Sequence, residues 1–95
     1  MPNYKLNATA KDDLIRIQHY GINRFGMIQA DAYFNMFFEY FDIIAQNPYQ
    51  FESVDFIKQD YRRCVCGSES IYYKVQDEVV VIMTIIGRQD FKSTI

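Results

Sequence analysis

The chain is 95 residues long, 49% hydrophobic and 17% aromatic, with a formal net charge of −2 at pH 7. A chain of this size buries roughly two-thirds of its unfolded surface, which allows one core and one domain over residues 1–95 and excludes a second. The apolar content excludes a disordered chain, and the slightly acidic balance sets it apart from most small nucleic-acid binders, whose basic patches neutralise phosphates.

Residues 4–8 alternate apolar and polar side chains and predict a short strand with one buried face. Thr9 stands three residues before Asp12, a spacing like that of a capping box, so a helix is predicted over residues 10–25. Ala10, Leu14, Ile17, Gly21 and Phe25 fall in one narrow stripe of that helix, the expected core face. Ile15 and Ile22 form a second, smaller apolar pair to one side. Gly26 fits the left-handed position that closes a helix.

A second helix is predicted over residues 28–46. Ala30, Tyr33, Phe34, Phe37, Phe38, Phe41, Ile44 and Ala45 make its main stripe, and Met36, Tyr40 and Ile43 widen it. The apolar arc spans roughly 200°, about twice what an ordinary surface helix presents. One sheet face cannot cover it, so this helix must meet the sheet, the first helix and a further surface. Asn47 and Pro48 end it.

Residues 49–59 read as an irregular connection. Three strands follow, over residues 61–66, 70–75 and 79–86, with turns at Gly67-Ser68 and Gln76-Asp77. The last is a continuous β-branched run, expected of a central or doubly covered strand. The predicted fold class is α+β: an N-terminal strand, a two-helix antiparallel hairpin, then a three-stranded antiparallel meander. The helices pack on one sheet face, and the first strand returns to the same sheet.

Few residues are placed for covalent chemistry, and no catalytic residue, metal or cofactor is expected. Cys64 and Cys66 lie two apart on a strand, at or beyond disulfide reach, and read as small apolar thiols on one face. His19, the single histidine, falls on a polar helix face. Asp12 and Asp13 sit where the positive end of the first helix dipole favours carboxylates. Glu52 and Asp55 show no metal spacing, and the four glycines are too scattered for a phosphate loop. Arg62 and Arg63 alternate faces on one strand, so one of them points towards the helices or the functional face of the sheet. Residues 1–10 lack the apolar run of a signal peptide, and no stretch reaches the ~18 apolar residues of a membrane helix, so a cytoplasmic protein is expected.

In order along the chain, Tyr4-Lys5-Leu6, Ala10-Lys11-Asp12-Asp13-Leu14, Phe25-Gly26, Gln29-Ala30, Asn47-Pro48, Tyr61-Arg62, Gly67-Ser68, Ile71-Tyr72-Tyr73 and Arg88-Gln89-Asp90-Phe91 resemble the ParE branch of the RelE/ParE toxin–antitoxin superfamily. The resemblance implies the toxin of a type II toxin–antitoxin system. Such a toxin inhibits DNA gyrase by protein–protein binding and is neutralised in a complex with a ParD-type antitoxin. Operator DNA is then met only indirectly, through the antitoxin. The RelE branch instead cleaves mRNA on the ribosome with basic side chains. At positions where superfamily relatives often carry His, Arg and His, this chain has Glu69, Thr84 and Gly87. An mRNA endoribonuclease and a non-toxic interaction protein are the alternative readings.

The wide apolar arc gives the antitoxin expectation its own physical basis. Ile15, Ile22, Met36, Tyr40 and Ile43 are the candidate antitoxin-binding residues. Covering about 400 Å² of such surface contributes on the order of 10 kcal/mol before ordering costs. Arg62, Arg88, Gln89, Asp90 and Phe91 are the candidate target-binding residues.

Overall fold

The structure, a computed structural model, describes residues 3–87. Its elements are β1 (Tyr4–Leu6), α1 (Ala8–Phe25), α2 (Met27–Gln46), β2 (Glu52–Ser53), β3 (Arg62–Cys66), β4 (Glu69–Gln76) and β5 (Val79–Gly87). They form a five-stranded sheet in the order β1-β5-β4-β3-β2. β1 runs parallel to β5, with Tyr4 opposite Val80, and every other pairing is antiparallel. The α+β class and the return of the first strand to the sheet are as the sequence predicts.

The first helix starts earlier than its sequence suggests. Asn7, not Thr9, is the cap: its side-chain oxygen accepts from the Ala10 N–H at 3.0 Å. Asp12 and Asp13 therefore lie beyond the first turn, and the dipole account of Asp13 gives way to a direct contact with the sheet, described below. A single residue joins the helices. Gly26 donates its N–H to Ile22 O and accepts from Ala30 N, both at 3.0 Å, with φ at +87° and ψ at 166°. That region belongs almost entirely to glycine.

The main core lies between the hairpin and one sheet face. Ala10, Leu14 and Ile17 of α1 and Phe37, Phe41 and Ile44 of α2 pack on alternate residues of the central strands, among them Cys64, Ile71, Tyr73, Ile82 and Ile85. Both cysteines face the helices, as the strand alternation requires. The aromatics of α2 interlock, with Phe38 edge-on to Phe41 at 5.3 Å and Tyr33 edge-on to Phe37 at 5.1 Å.

The other sheet face has its own smaller core of Val54, Tyr61, Tyr72 and Ile86. The connection predicted as irregular covers it. That segment contributes the short edge strand β2 and folds back so that Val54 N–H bonds Tyr61 O at 2.8 Å. Two-residue pairing carries too little periodicity to be read from sequence. The last hairpin turns at Asp77-Glu78 rather than Gln76-Asp77, with φ of 54° and 64° at those two residues. Positive φ at both central residues is the turn that matches strand twist. Met83 is bulged, since Tyr72 opposes Thr84 while Tyr73 opposes Ile82.

Candidate functional site: a cleft under the hairpin tip

Phe25 is predicted to complete the core stripe of α1, yet it is 60% exposed. The reason is tertiary: the hairpin tip carries Phe25, Met27 and Ile28, all exposed, and Ile28 is 89% exposed. A cleft of about 780 Å³ lies between this end of the hairpin and the end of the sheet. Ile17, Tyr20 and Phe25 of α1 and Tyr33 and Met36 of α2 make most of its apolar lining. Ser68, Glu69 and Gly87 close it at the sheet end, where Glu69 and Gly87 are cross-strand partners. Gly21 and Ala30 line the cleft where the helices cross, close enough that a Cβ on Gly21 meets Ala30 Cβ at 3.2 Å.

Tyr33 ties the cleft together. Its hydroxyl accepts from the Ser68 N–H at 3.1 Å, so α2 holds the β3–β4 turn directly. Burial, opposed by this bond, pushes the Tyr33 hydroxyl pKa above its ordinary value. Arg16 lines the cleft from α1 and donates to Ile85 O at 2.9 Å.

Of the candidate antitoxin-binding residues, Met36 alone lines this cleft. Ile15 and Ile43 are 54% and 43% exposed, while Ile22, Met36 and Tyr40 are half-buried. Gln18 of α1 bonds Asp31 of α2 at 2.7 Å, so Asp31 marks the side of α2 that faces α1. Met36, Tyr40 and Ile43 fall roughly 120–180° around the helix from Asp31. Tyr40 and Ile43 sit on the flank of α2 away from α1, Met36 borders the cleft that α1 also lines, and Ile15 and Ile22 belong to α1. Sequence reading missed Tyr20 and the exposed tip residues Met27 and Ile28. Their apolar character is visible in the sequence, but which end of the hairpin overhangs the sheet is not.

Arg62 is the strand arginine that points towards the helix side, being opposite Tyr73. Its guanidinium donates to Phe51 O at 2.7 Å and lies 5.1 Å from the Tyr49 ring centroid. Nearby, the Tyr73 hydroxyl donates to Pro48 O at 2.6 Å. Arg63, on the opposite face, pairs with Glu52 at 2.9 Å, and that bond raises the arginine pKa. Arg88, Gln89, Asp90 and Phe91 lie outside the described residues.

Burial pushes Cys64 up to about 11 and Cys66 up to about 12, so at neutral pH both are thiols and poor nucleophiles. His19 is exposed on α1. Among the described residues no group of three His, Cys, Asp or Glu side chains is disposed to hold a metal ion, and no helix is long and apolar enough to cross a membrane.

The family described as "ParE toxin of type II toxin-antitoxin system, parDE" matches residues 4–91. The chain belongs to the ParE toxin family. It is 33% identical to Toxin ParE1 of Caulobacter vibrioides over 82 residues, covering 86% of this chain and 85% of that one. In fold it is similar to a structure described as the chromosomal ParDE TA system from P. aeruginosa, with a TM-score of 0.81 at 18% identity, covering 92% and 96% of the two chains. The ParE fold thus accounts for the strand–hairpin–meander order, and the cleft lies where its hairpin overhangs its sheet.

Proposed function

We propose that this ParE-family toxin arrests growth by binding DNA gyrase through protein–protein contacts, without covalent chemistry of its own, and that a ParD-type antitoxin neutralises it. The family assignment over residues 4–91 carries this reading. The cleft and the flank of α2 support an antitoxin contact, because the cleft is apolar and open and Ile43 is exposed beside the half-buried Met36 and Tyr40. An amphipathic antitoxin helix lying on Met36, Tyr40 and Ile43 would meet anchors four and three residues apart. Ile15 and Ile22 would border a second stretch of the same partner. The target contact is assigned to Arg62 and to Arg88, Gln89, Asp90 and Phe91.

The nuclease alternative finds no support at the positions it needs. Thr84 bonds Asp13, Glu69 brings a carboxylate to the cleft, and Gly87 has no side chain. A carboxylate at that point repels an RNA backbone.

The deciding experiment is a gyrase supercoiling assay with the purified chain, alone and after pre-incubation with the antitoxin. Inhibition that antitoxin reverses, with transcripts left intact in a translating extract, is the expected result. Gyrase that stays fully active at a molar excess of the chain overturns the reading, and transcript cleavage would replace it with the nuclease. A chain that binds antitoxin but arrests neither gyrase nor growth is the non-toxic interaction protein.

A further inference from the structure

Among the described residues, the cleft under the hairpin tip has two charged side chains in its wall, Arg16 on α1 and Glu69 at the sheet end. Arg16 is held in place. β1 ends at Leu6, opposite Ile82, so side chains of α1 and not a strand meet β5 at Ile85. Asp13 Oδ2 accepts from the Ile85 N–H at 2.9 Å and from the Thr84 hydroxyl at 2.6 Å, and Arg16 Nη2 donates to Ile85 O at 2.9 Å. Asp13 Oδ1 stands 3.6 Å from Arg16, a loose ion pair, and the Arg16 side chain is 54% exposed. A guanidinium carries five N–H donors, and Nη2 is the nitrogen engaged here. A fixed, half-exposed guanidinium in a largely apolar wall suits a carboxylate.

The cleft is continuous with the flank of α2. Met36 belongs to both, and Tyr40 and Ile43 follow it one and two helical turns along α2. A segment lying on Ile43 and Tyr40 reaches Met36, and with it the cleft, within about 10 Å. We propose that the cleft takes an apolar segment of the antitoxin that carries an acidic side chain, and that Arg16 binds this carboxylate and so selects the matching antitoxin. Glu69 repels a second carboxylate at the sheet end, which sets the direction in which the segment lies. The inference rests on the reading that a ParD-type antitoxin neutralises the chain.

Arg16→Glu should raise the Kd of the purified ParD-type antitoxin about tenfold or more, the factor one charge-assisted hydrogen bond carries. Arg16→Lys keeps the charge without the planar fork and should raise it less. Added salt should weaken wild-type binding more than that of Arg16→Gln. Because Arg16 also holds Ile85 O, charge-reversal rescue separates recognition from a structural role. With each Asp and Glu of the antitoxin changed to Lys in turn, one variant should bind Arg16→Glu better than it binds the wild type. Arg16→Gln carries the test, by Kd and salt dependence, if Arg16→Glu does not fold. Unchanged affinity of a folded variant, or rescue by none of the antitoxin variants, overturns the inference. Sedimentation of the chain alone tests the rival occupant: a dimer that Arg16→Glu dissociates gives the cleft to a second copy and overturns it too. If Tyr40→Asp weakens binding and Arg16→Glu does not, the antitoxin keeps to the flank and only this inference fails. If the wild-type chain does not bind the antitoxin, the neutralisation reading falls and the inference with it.

Discussion

The Tyr33 hydroxyl stands 2.6 Å from where a Cβ on Gly67 would lie, and it accepts the N–H of the next residue, Ser68, at 3.1 Å. Gly67 also holds φ at +61°. The turn thus needs glycine twice over, for its backbone and for the ring packed on it. Gly67→Ala should cost about 1–3 kcal/mol, because strain and crowding act together. Urea denaturation measures it, and a cost near zero would show that Tyr33 swings away freely.

Tyr73→Phe removes the hydroxyl that reaches Pro48 O at 2.6 Å from a fully buried ring. The carbonyl left behind sits at the end of α2, where the chain turns towards β2. The expected loss is about 1–2 kcal/mol by the same measurement, typical of a buried acceptor stripped of its donor.

Alkaline pH should unfold the protein. Cys64 is held at about 11 and Cys66 and Tyr73 at about 12, each above its ordinary value of 9.0 or 10.0. Burial is the first cause in every case. Raised folded values mean that the unfolded chain releases its protons first. The stability these groups contribute is complete below pH 9.0 and is lost as pH rises through 11 to 12. Thermal melts across that range should show a falling Tm. At pH 8 a thiol reagent should label neither cysteine in the folded state and both in denaturant.

The two strand arginines should behave differently. Arg63 makes an ion pair with a half-exposed Glu52 side chain, so Arg63→Ala should cost only about 0.2–1 kcal/mol. Arg62 holds the carbonyl of Phe51 and stacks on Tyr49, so Arg62→Ala should cost about 1–3 kcal/mol and loosen residues 49–52. Proteolysis rates of that segment distinguish the two variants. An equal effect of both would assign the order of the segment to β2 pairing alone.

A charge placed on the flank of α2 should weaken the antitoxin, at a cost in stability because the half-buried Met36 and Tyr40 also pack against the core. Tyr40→Asp and Met36→Asp are each expected to raise the antitoxin Kd by roughly tenfold or more, as burying an unpaired carboxylate costs several kcal/mol. Calorimetric titration reads this directly. An unchanged Kd for both would move the antitoxin to the Ile15 and Ile22 side of α1.

The elements were legible because local rules govern them. The apolar stripes of Ala10, Leu14 and Ile17 and of Phe37, Phe41 and Ile44 declare both helices, and the β-branched run after Val79 declares the central strand. The boundaries were less so. Asn7 outcompeted Thr9 as the cap because its side chain reaches Ala10 N from an extended backbone. The turn settled at Asp77-Glu78, where two positive φ angles match the strand twist at residues that are not glycine.

The sequence by itself determined the fold class, the family and the surplus of apolar side chains, since these follow from periodicity and from residues in a fixed order. Only the tertiary structure decided where the surplus emerges. Phe25 is core by its place on the wheel and exposed because the hairpin outruns the sheet. Asp13 reads as a dipole partner in sequence and becomes a surrogate strand because β1 ends three residues short of Ile85 in the register of β5. Such contacts join positions about 70 residues apart, and neither local propensity nor spacing contains that distance.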